Sequence, residues 1–315
     1  MKWLLTYGLI GMLALASCRE SEKVYIYPPS PMEDARDFVE KYGPVRQVYS
    51  MTTSELPRTI TLVNGSKVTV PHAAIQKNGD YVSGEIILEA YEMLKRSDIM
   101  LGGINTNHYD GSPIETKGIL DINILSAGKY ADKNLLNLMT VSIPSGQSGF
   151  MRIASGNTNT DGTGFLSWGP GMLDSVNSDG NAYTFKSMKL GWLNCGAYFA
   201  HDVATGSLSV TLQNHSGTIA SYRGEHGNTF VYFCPKGSKV AMQLTSSVIQ
   251  DVVKCKDYML PVGKEGKLVA FSIKDRKFYY AEKEFTTTDN NMQSLSLSEV
   301  SINDLLVNLR SLDTY

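Results

Sequence analysis

Thr59-Ile60-Thr61-Leu62-Val63-Asn64-Gly65-Ser66-Lys67-Val68-Thr69-Val70-Pro71 carries the clearest structural signal in the chain. Apolar and polar residues alternate on both sides of Asn64-Gly65, a pair that readily adopts the positive φ angles of a tight turn. The segment therefore predicts two antiparallel strands joined as a hairpin. Pro71 has no N–H to give to a ladder and ends the second strand.

The same rhythm extends in both directions. Lys77-Asn78-Gly79-Asp80 is a turn before a strand from Tyr81 to Leu88. Residues 89–96 have helix-forming composition, so that strand is expected to run into a short helical turn. Further strands are expected at 119–125, 138–143, 150–153 and 165–168, with a Gly- and Asn-marked loop at 102–112. After a Gly-, Ser- and Asn-rich stretch the pattern restarts at 187–198. It continues at 208–212, 218–222, 229–234, 239–244, 267–273 and 277–282, with Lys274-Asp275-Arg276 as a hairpin turn. Many short strands parted by turns indicate a mainly β protein, with two antiparallel β-sandwich-like domains at 47–170 and 185–315 and a linker at 171–184.

Two helices frame the strands. Ser30-Pro31-Met32-Glu33 has the form of a capping box ahead of an apolar stripe of Ala35, Phe38, Val39 and Tyr42, so 30–46 reads as a short helix and linker. At the other end Ser301 and Asp304 cap a C-terminal amphipathic helix with the stripe Ile302, Leu305, Leu306 and Leu309.

Ahead of these lies a leader. Lys2 is followed by an apolar run from Leu4 to Ala16, shorter than the roughly 20 residues of a membrane span and suited to a signal-peptide core. Leu15-Ala16-Ser17-Cys18 resembles a bacterial lipobox, which implies removal of residues 1–17, acylation of Cys18, and a tether at 18–29. Stable anchoring by acyl chains draws on about 0.8 kcal/mol per buried CH₂. Arg19 after the cysteine is not the Asp that retains such proteins in the inner membrane, so the outer membrane is expected, in either leaflet. With the leader gone, 298 of 315 residues remain, enough for two domains of ordinary size. The balance of 29 basic against 31 acidic residues gives −2, and −3 once Lys2 is lost. With no basic block, nucleic acid is not an expected partner.

Several phrases resemble a family of Bacteroidetes surface lipoproteins of uncharacterised function. They are Val68-Thr69-Val70-Pro71-His72-Ala73-Ala74, Gly79-Asp80-Tyr81-Val82-Ser83-Gly84, Ser97-Asp98-Ile99-Met100, Ile114-Glu115-Thr116-Lys117-Gly118, Leu190-Gly191-Trp192-Leu193-Asn194-Cys195 and Leu260-Pro261-Val262-Gly263. The first domain is also similar to ZU5-like and carboxypeptidase-regulatory-like β-modules. Gly196 departs from the Asp usual in the lipoproteins. The resemblance implies an exported, β-rich lipoprotein and assigns no catalytic residue.

Chemistry-bearing motifs are incomplete. Gly146-Gln147-Ser148-Gly149-Phe150 lacks the last glycine and the strand–turn–helix setting of a nucleophile elbow. Asn157, Asn159, Asp161 and Gly162 resemble the start of a calcium loop, but Trp168 stands where its bidentate Glu belongs. His201-Asp202 and Glu225-His226 have no third ligand nearby, and His72, His108 and His215 read as solvated turn residues. No catalytic, metal or cofactor site is expected. Once Cys18 is acylated, Cys195, Cys234 and Cys255 remain, and Cys234–Cys255 is a candidate disulfide beside the alternative of free buried thiols. Trp168, Trp192 and Tyr109 are candidate ligand contacts, and Asp174-Ser175-Val176 is a candidate O-glycosylation site at Ser175. The expectation is a non-catalytic binding or structural lipoprotein of the cell envelope, with an envelope protein or glycan as partner. The alternative is a lipid-anchored hydrolase acting on glycan or peptide.

Overall fold

In a computed structural model, which describes residues 34–158, 164–169, 174–214, 217–249 and 252–315, the opening hairpin is present. Arg58–Thr61 pairs with Lys67–Val70 in a register that sets Ile60 opposite Val68. The turn is wider than two residues. Gly65 N–H donates to Leu62 O at 3.0 Å and Leu62 N–H to Ser66 O at 2.7 Å, with Gly65 at φ 98°. A three-residue loop that ends in a left-handed glycine satisfies both bonds.

The structure is mainly β, built of several antiparallel sheets and a C-terminal helix. A first sheet runs Gln47–Thr52, Glu85–Met93, Ile114–Ser126, Gly191–Tyr198, Arg152–Thr158, Leu166–Trp168. A second runs Asn177–Ser178, Ala182–Lys189, Asn134–Pro144, Lys67–Val70, Arg58–Thr61. Their facing apolar residues, among them Leu88, Ile122 and Cys195 against Val68, Val141 and Phe185, form one core. The boundary expected at 171–184 is therefore not one. Ala182–Lys189 pairs with Asn134–Pro144, and Gly191–Tyr198 with Ile114–Ser126, so the strands expected to begin a second domain complete the first pair of sheets. The Gly, Ser and Asn residues between them make turns of short edge strands, which composition does not distinguish from a linker.

A third sheet runs Ser246–Ile249, Val252–Lys254, Thr205–Gln213, Leu260–Pro261, and Asn290–Ser296 joins Thr205–Gln213 in parallel. A fourth runs Met242–Gln243, Thr229–Pro235, Glu265–Lys274, Lys277–Thr286, Ser298–Val300. Asp275 and Arg276, at φ 54° and 64°, form the expected turn inside it. Residues 218–222, read as a strand, instead make a single bridge from Ile219 to Thr229 before the 3-10 turn Tyr222–Gly224.

Every residue of Thr229–Pro235 is buried. Val231 and Phe233 face the core shared with the third sheet, while Phe230, Tyr232 and Cys234 face a different one. Burial on both faces explains why Thr-Phe-Val-Tyr-Phe-Cys-Pro lacks polar alternation. That other core collects Met93 and Ile119 from the first sheet, Phe230 and Phe271 from the fourth, and the apolar faces of three helices. These are α1 (Ala35–Tyr42), α2 (Arg96–Leu101) and α3 (Ile302–Ser311). It knits the described residues into one unit.

Helix α1 starts later than its sequence signature suggests. Asp34 is the cap, its side chain accepting from Asp37 N–H at 2.9 Å, and Ser30 to Glu33 lie outside the described residues. Helix α3 starts as expected, with Ser301 Oγ accepting from Asp304 N–H at 3.1 Å. Helix α2 holds the C-terminal segment. The buried Arg96 guanidinium donates to the carbonyls of Leu312 at 3.0 Å, Pro235 at 2.7 Å and Ser238. Ser97 adds bonds from its N–H and hydroxyl to Asp313 at 2.8 and 2.7 Å.

Residues 102–107, the first part of the loop expected at 102–112, are mostly buried and hydrogen-bonded. Asn105 Nδ2 donates to Leu166 O, Asn107 Nδ2 to Gln243 O, and Gln243 Nε2 to Ala220 O. Among the described residues no helix is long and apolar enough to cross a membrane.

Candidate functional site

The Leu120-Asp121-Ile122-Asn123-Ile124 run of the Ile114–Ser126 strand sends its apolar residues into the core. Its period of two places Asp121 and Asn123 on the opposite face. Asp121 is paired across the sheet with Tyr91 on one side and Trp192 on the other. The Tyr91 and Trp192 rings lie nearly parallel, with centroids 6.5 Å apart. Burial in this aromatic surrounding pushes the Asp121 carboxyl up to about 6, against the opposing effects of a hydrogen bond from Asn123 and the nearby Arg223 and Lys133 cations. A charged carboxylate loses more on leaving water than a neutral acid does.

A cleft of about 620 Å³ opens over this residue. Its walls come from four segments: Asp121 and Asn123, Lys133 and Asn134, Ser155 to Thr158, and Lys189 to Trp192, with Tyr222 closing one end. Leu190 N–H donates to Lys133 O at 2.8 Å, which brings the two lysine-bearing segments together. Trp192 Nε1–H donates to Tyr222 Oη at 3.0 Å, so the indole is fixed at the cleft wall. Burial pushes the Tyr222 hydroxyl up to about 12, and it stays neutral. Two of the lining residues are glycines. A side chain at Gly156 would meet Trp192 Cβ at 2.5 Å, and Gly191 sits at φ 94° with Asp121 Oδ1 4.0 Å from where its Cβ would be. Arg223, also at positive φ, stacks 4.7 Å over Tyr91 and leaves its buried Nη1 without a partner.

The expected contact residues separate. Trp192 lines the cleft. Trp168 does not; it is fully buried, with Nε1–H donating to Asn105 O at 2.8 Å. Tyr109 is 57% exposed and belongs to another cluster. There His108, expected to be solvated, is buried beneath Tyr109 and Tyr198 and meets Asp110 at 3.0 Å. Burial opposes charge on Asp110, but hydrogen bonds from Ser112 and His108 hold its carboxyl below the ordinary range. Tyr198 Oη is 3.0 Å from one ring nitrogen of His108 and 3.3 Å from the other. Near-equal distances place the oxygen over the ring face, off either lone-pair axis, which is packing geometry rather than a proton relay.

The candidate disulfide is absent. Cys195, Cys234 and Cys255 are free and buried. Cys234 and Cys255 lie in different cores, with Cys234 Sγ 3.9 Å from Met100 Sδ and Cys255 Sγ accepting from Leu208 N–H at 3.3 Å. Ser175 falls in the two-residue strand Asp174–Ser175 paired with Arg152–Thr158, not in an open linker. Cys18 and the central residues of the calcium-like loop, Asn159 to Asp161, lie outside the described residues. The elbow-like Gly146 to Phe150 segment is an exposed turn, and His201 and Asp202 form an exposed pair. Among the described residues no group of three or more His, Cys, Asp or Glu is placed to hold a metal ion.

Asp121, Asn123, Lys133 and Lys189 were not singled out by the sequence. The available signal was the adjacency of Asp121 and Asn123 as the polar members of an apolar strand, which by itself marks any solvent face. Compared with protein-family profiles, curated proteins and solved structures, the chain matches none.

Proposed function

We propose that the protein is a lipid-anchored lipoprotein of the bacterial outer membrane that binds a partner without transforming it. In this reading Cys18 carries the lipid, residues 18–29 are the tether, and two β-sandwich-like halves are held above the bilayer. The kinship proposed is with Bacteroidetes-type surface lipoproteins. The partner is an envelope protein or glycan, and the cleft over Asp121 is where it binds. The observation that carries the binding role is the cleft itself, whose polar side chains converge around a fixed Trp192. The lipobox and the resemblance described above support the anchor.

The test has two arms. Labelled palmitate should enter the wild-type chain and not Cys18→Ala. Pull-down from membranes with the intact lipoprotein should recover a reproducible partner, lost in Asn157→Trp, which fills the cleft from its exposed wall. Equal labelling of both forms would remove the anchor, and a partner indifferent to Asn157→Trp would remove the site.

One observation favours the hydrolase alternative. An acid raised to about 6 in the wall of a cleft suits general-acid catalysis near neutral pH. Cleavage of a glycan library by the wild type but not by Asp121→Asn would replace the binding role with this one.

A further inference from the structure

Taking the cleft as the binding site, its chemistry restricts what fits. The lining residues carry two ammonium groups, Lys133 and Lys189, against one carboxyl, Asp121. Both lysines are exposed at the rim. The nearby Arg223 guanidinium, over the Tyr91 ring, adds positive charge, while Glu89 is already engaged by Arg46 at 3.2 Å. The remaining polar groups are neutral donor–acceptors: Asn123, Asn134, Ser155, Asn157 and Thr158. Amides and hydroxyls at this density match a ligand whose own polar groups both donate and accept, spread over its surface rather than gathered at one end.

The aromatic contribution is restricted. Trp192 is 8% exposed, with Tyr91 parallel to it and Trp168 and Tyr222 edge-on. The indole therefore offers an edge and no open face, so flat aromatic ligands find no stacking platform here. Gly191 leaves Asp121 Oδ1 uncovered toward the cleft, and an ionised carboxylate there accepts from ligand hydroxyls.

From this arrangement we infer that the cleft binds a short acidic oligosaccharide, with ring hydroxyls on Asp121, Asn123 and Asn157 and a sugar carboxylate on Lys133 and Lys189. A uronic-acid chain meets both requirements in one repeating unit. A volume of about 620 Å³ lies within the usual range for small-ligand sites.

The test is titration calorimetry on the full-length, detergent-solubilised protein with three probes: trimers of galacturonate and of mannuronate, and a hyaluronan tetrasaccharide. Each is compared with its carboxyl-methylated form, which keeps the rings and hydroxyls and removes the charge. At least one acid should bind, its methyl ester about tenfold more weakly at low salt, as expected for the loss of two exposed ion pairs. The double variant Lys133→Gln/Lys189→Gln should lose the same factor for the acid and nothing for the ester. Asp121→Asn should weaken both. Equal affinity for acid and ester, or an unchanged double variant, overturns the acidic class. If Asp121→Asn still weakens both, the cleft remains the binding site. No binding of any probe overturns the inference, and the pull-down with Asn157→Trp then reports separately on the cleft.

Discussion

Glu92 offers the sharpest test of how the first two sheets are held together. It lies in the Glu85–Met93 strand, is 2% exposed, and shares the inward face with Leu88 and Ala90. Its carboxylate reaches the hairpin turn of the second sheet, accepting from Asn64 N–H at 2.7 Å and Ser66 N–H at 2.9 Å. Gln47 completes the grip by accepting from Val63 N–H at 2.8 Å. Glu92→Gln keeps the shape and removes one acceptor, so one of the two amides faces an NH₂ group instead. A hydrogen bond to a charged group contributes about 1.5–3 kcal/mol, and an orphaned buried donor costs about 1–3 kcal/mol, so a net loss of about 2–4 kcal/mol is expected. For a chain of this size that lowers Tm by roughly 3–7 °C. Calorimetry gives the shift. Hydrogen exchange gives the cause, since the Asn64 and Ser66 amides should be protected in the wild type and one should open in the variant. A Tm change under 1 °C, or wild-type amides exchanging as freely as an open turn, would refute the argument.

Three further outcomes follow from other buried groups. Asp121 has its folded-state pKa raised from 3.8 to about 6, so its neutral form is favoured by folding. Its contribution is fully present below the unfolded value and is lost as pH rises through about 6, a change of at most about 3 kcal/mol. Denaturation measured from pH 4 to 8 should show this falling limb in the wild type and a flatter one in Asp121→Asn; parallel curves would contradict it. Burial pushes the thiols of Cys234 and Cys255 up to about 11 and that of Cys195 to about 12. Ellman's reagent at pH 8 should find none of the three reactive until denaturant is added, and fast labelling of native protein would show the burial to be wrong. Arg96→Met leaves the carbonyls of Leu312, Pro235 and Ser238 without their shared donor and should cost about 2–4 kcal/mol by equilibrium unfolding, with no comparable loss in the exposed control Arg36→Met.

What the sequence displays, and what it conceals, divides along the distance over which each feature is determined. The Asn64-Gly65 hairpin, the Asp275-Arg276 turn and the Ser301-capped helix depend on neighbours within a few residues, and all can be read directly. The role of Ala182–Lys189 depends on a strand about forty residues earlier, and that of Gly191–Tyr198 on one still further back. Composition near 171–184 reports turns and carries no information on those partners. The site is concealed for the same reason. Asp121 looks like any solvent-facing acid of an alternating strand, and only the cross-strand positions of Tyr91 and Trp192 draw it partly out of water. Cys234 and Cys255 look like a pair at 21 residues' separation, yet Cys234 points from the fourth sheet into one core while Cys255, beside the third sheet, lies in another.

The Arg96 clasp bears on the order in which the fold can close. Its cation is made early, and its acceptor at Leu312 follows 216 residues later. Until that carbonyl arrives, along with Asp313 for Ser97, the α2 region holds polar groups that cannot be covered without loss. Docking of the 3-10 turn Leu312–Thr314 and closure of the α2 region are thus one event. With that turn undocked, Arg96 keeps only the carbonyls of Pro235 and Ser238 and Ser97 loses both bonds to Asp313, so loosening at one edge of the fold is felt at α2.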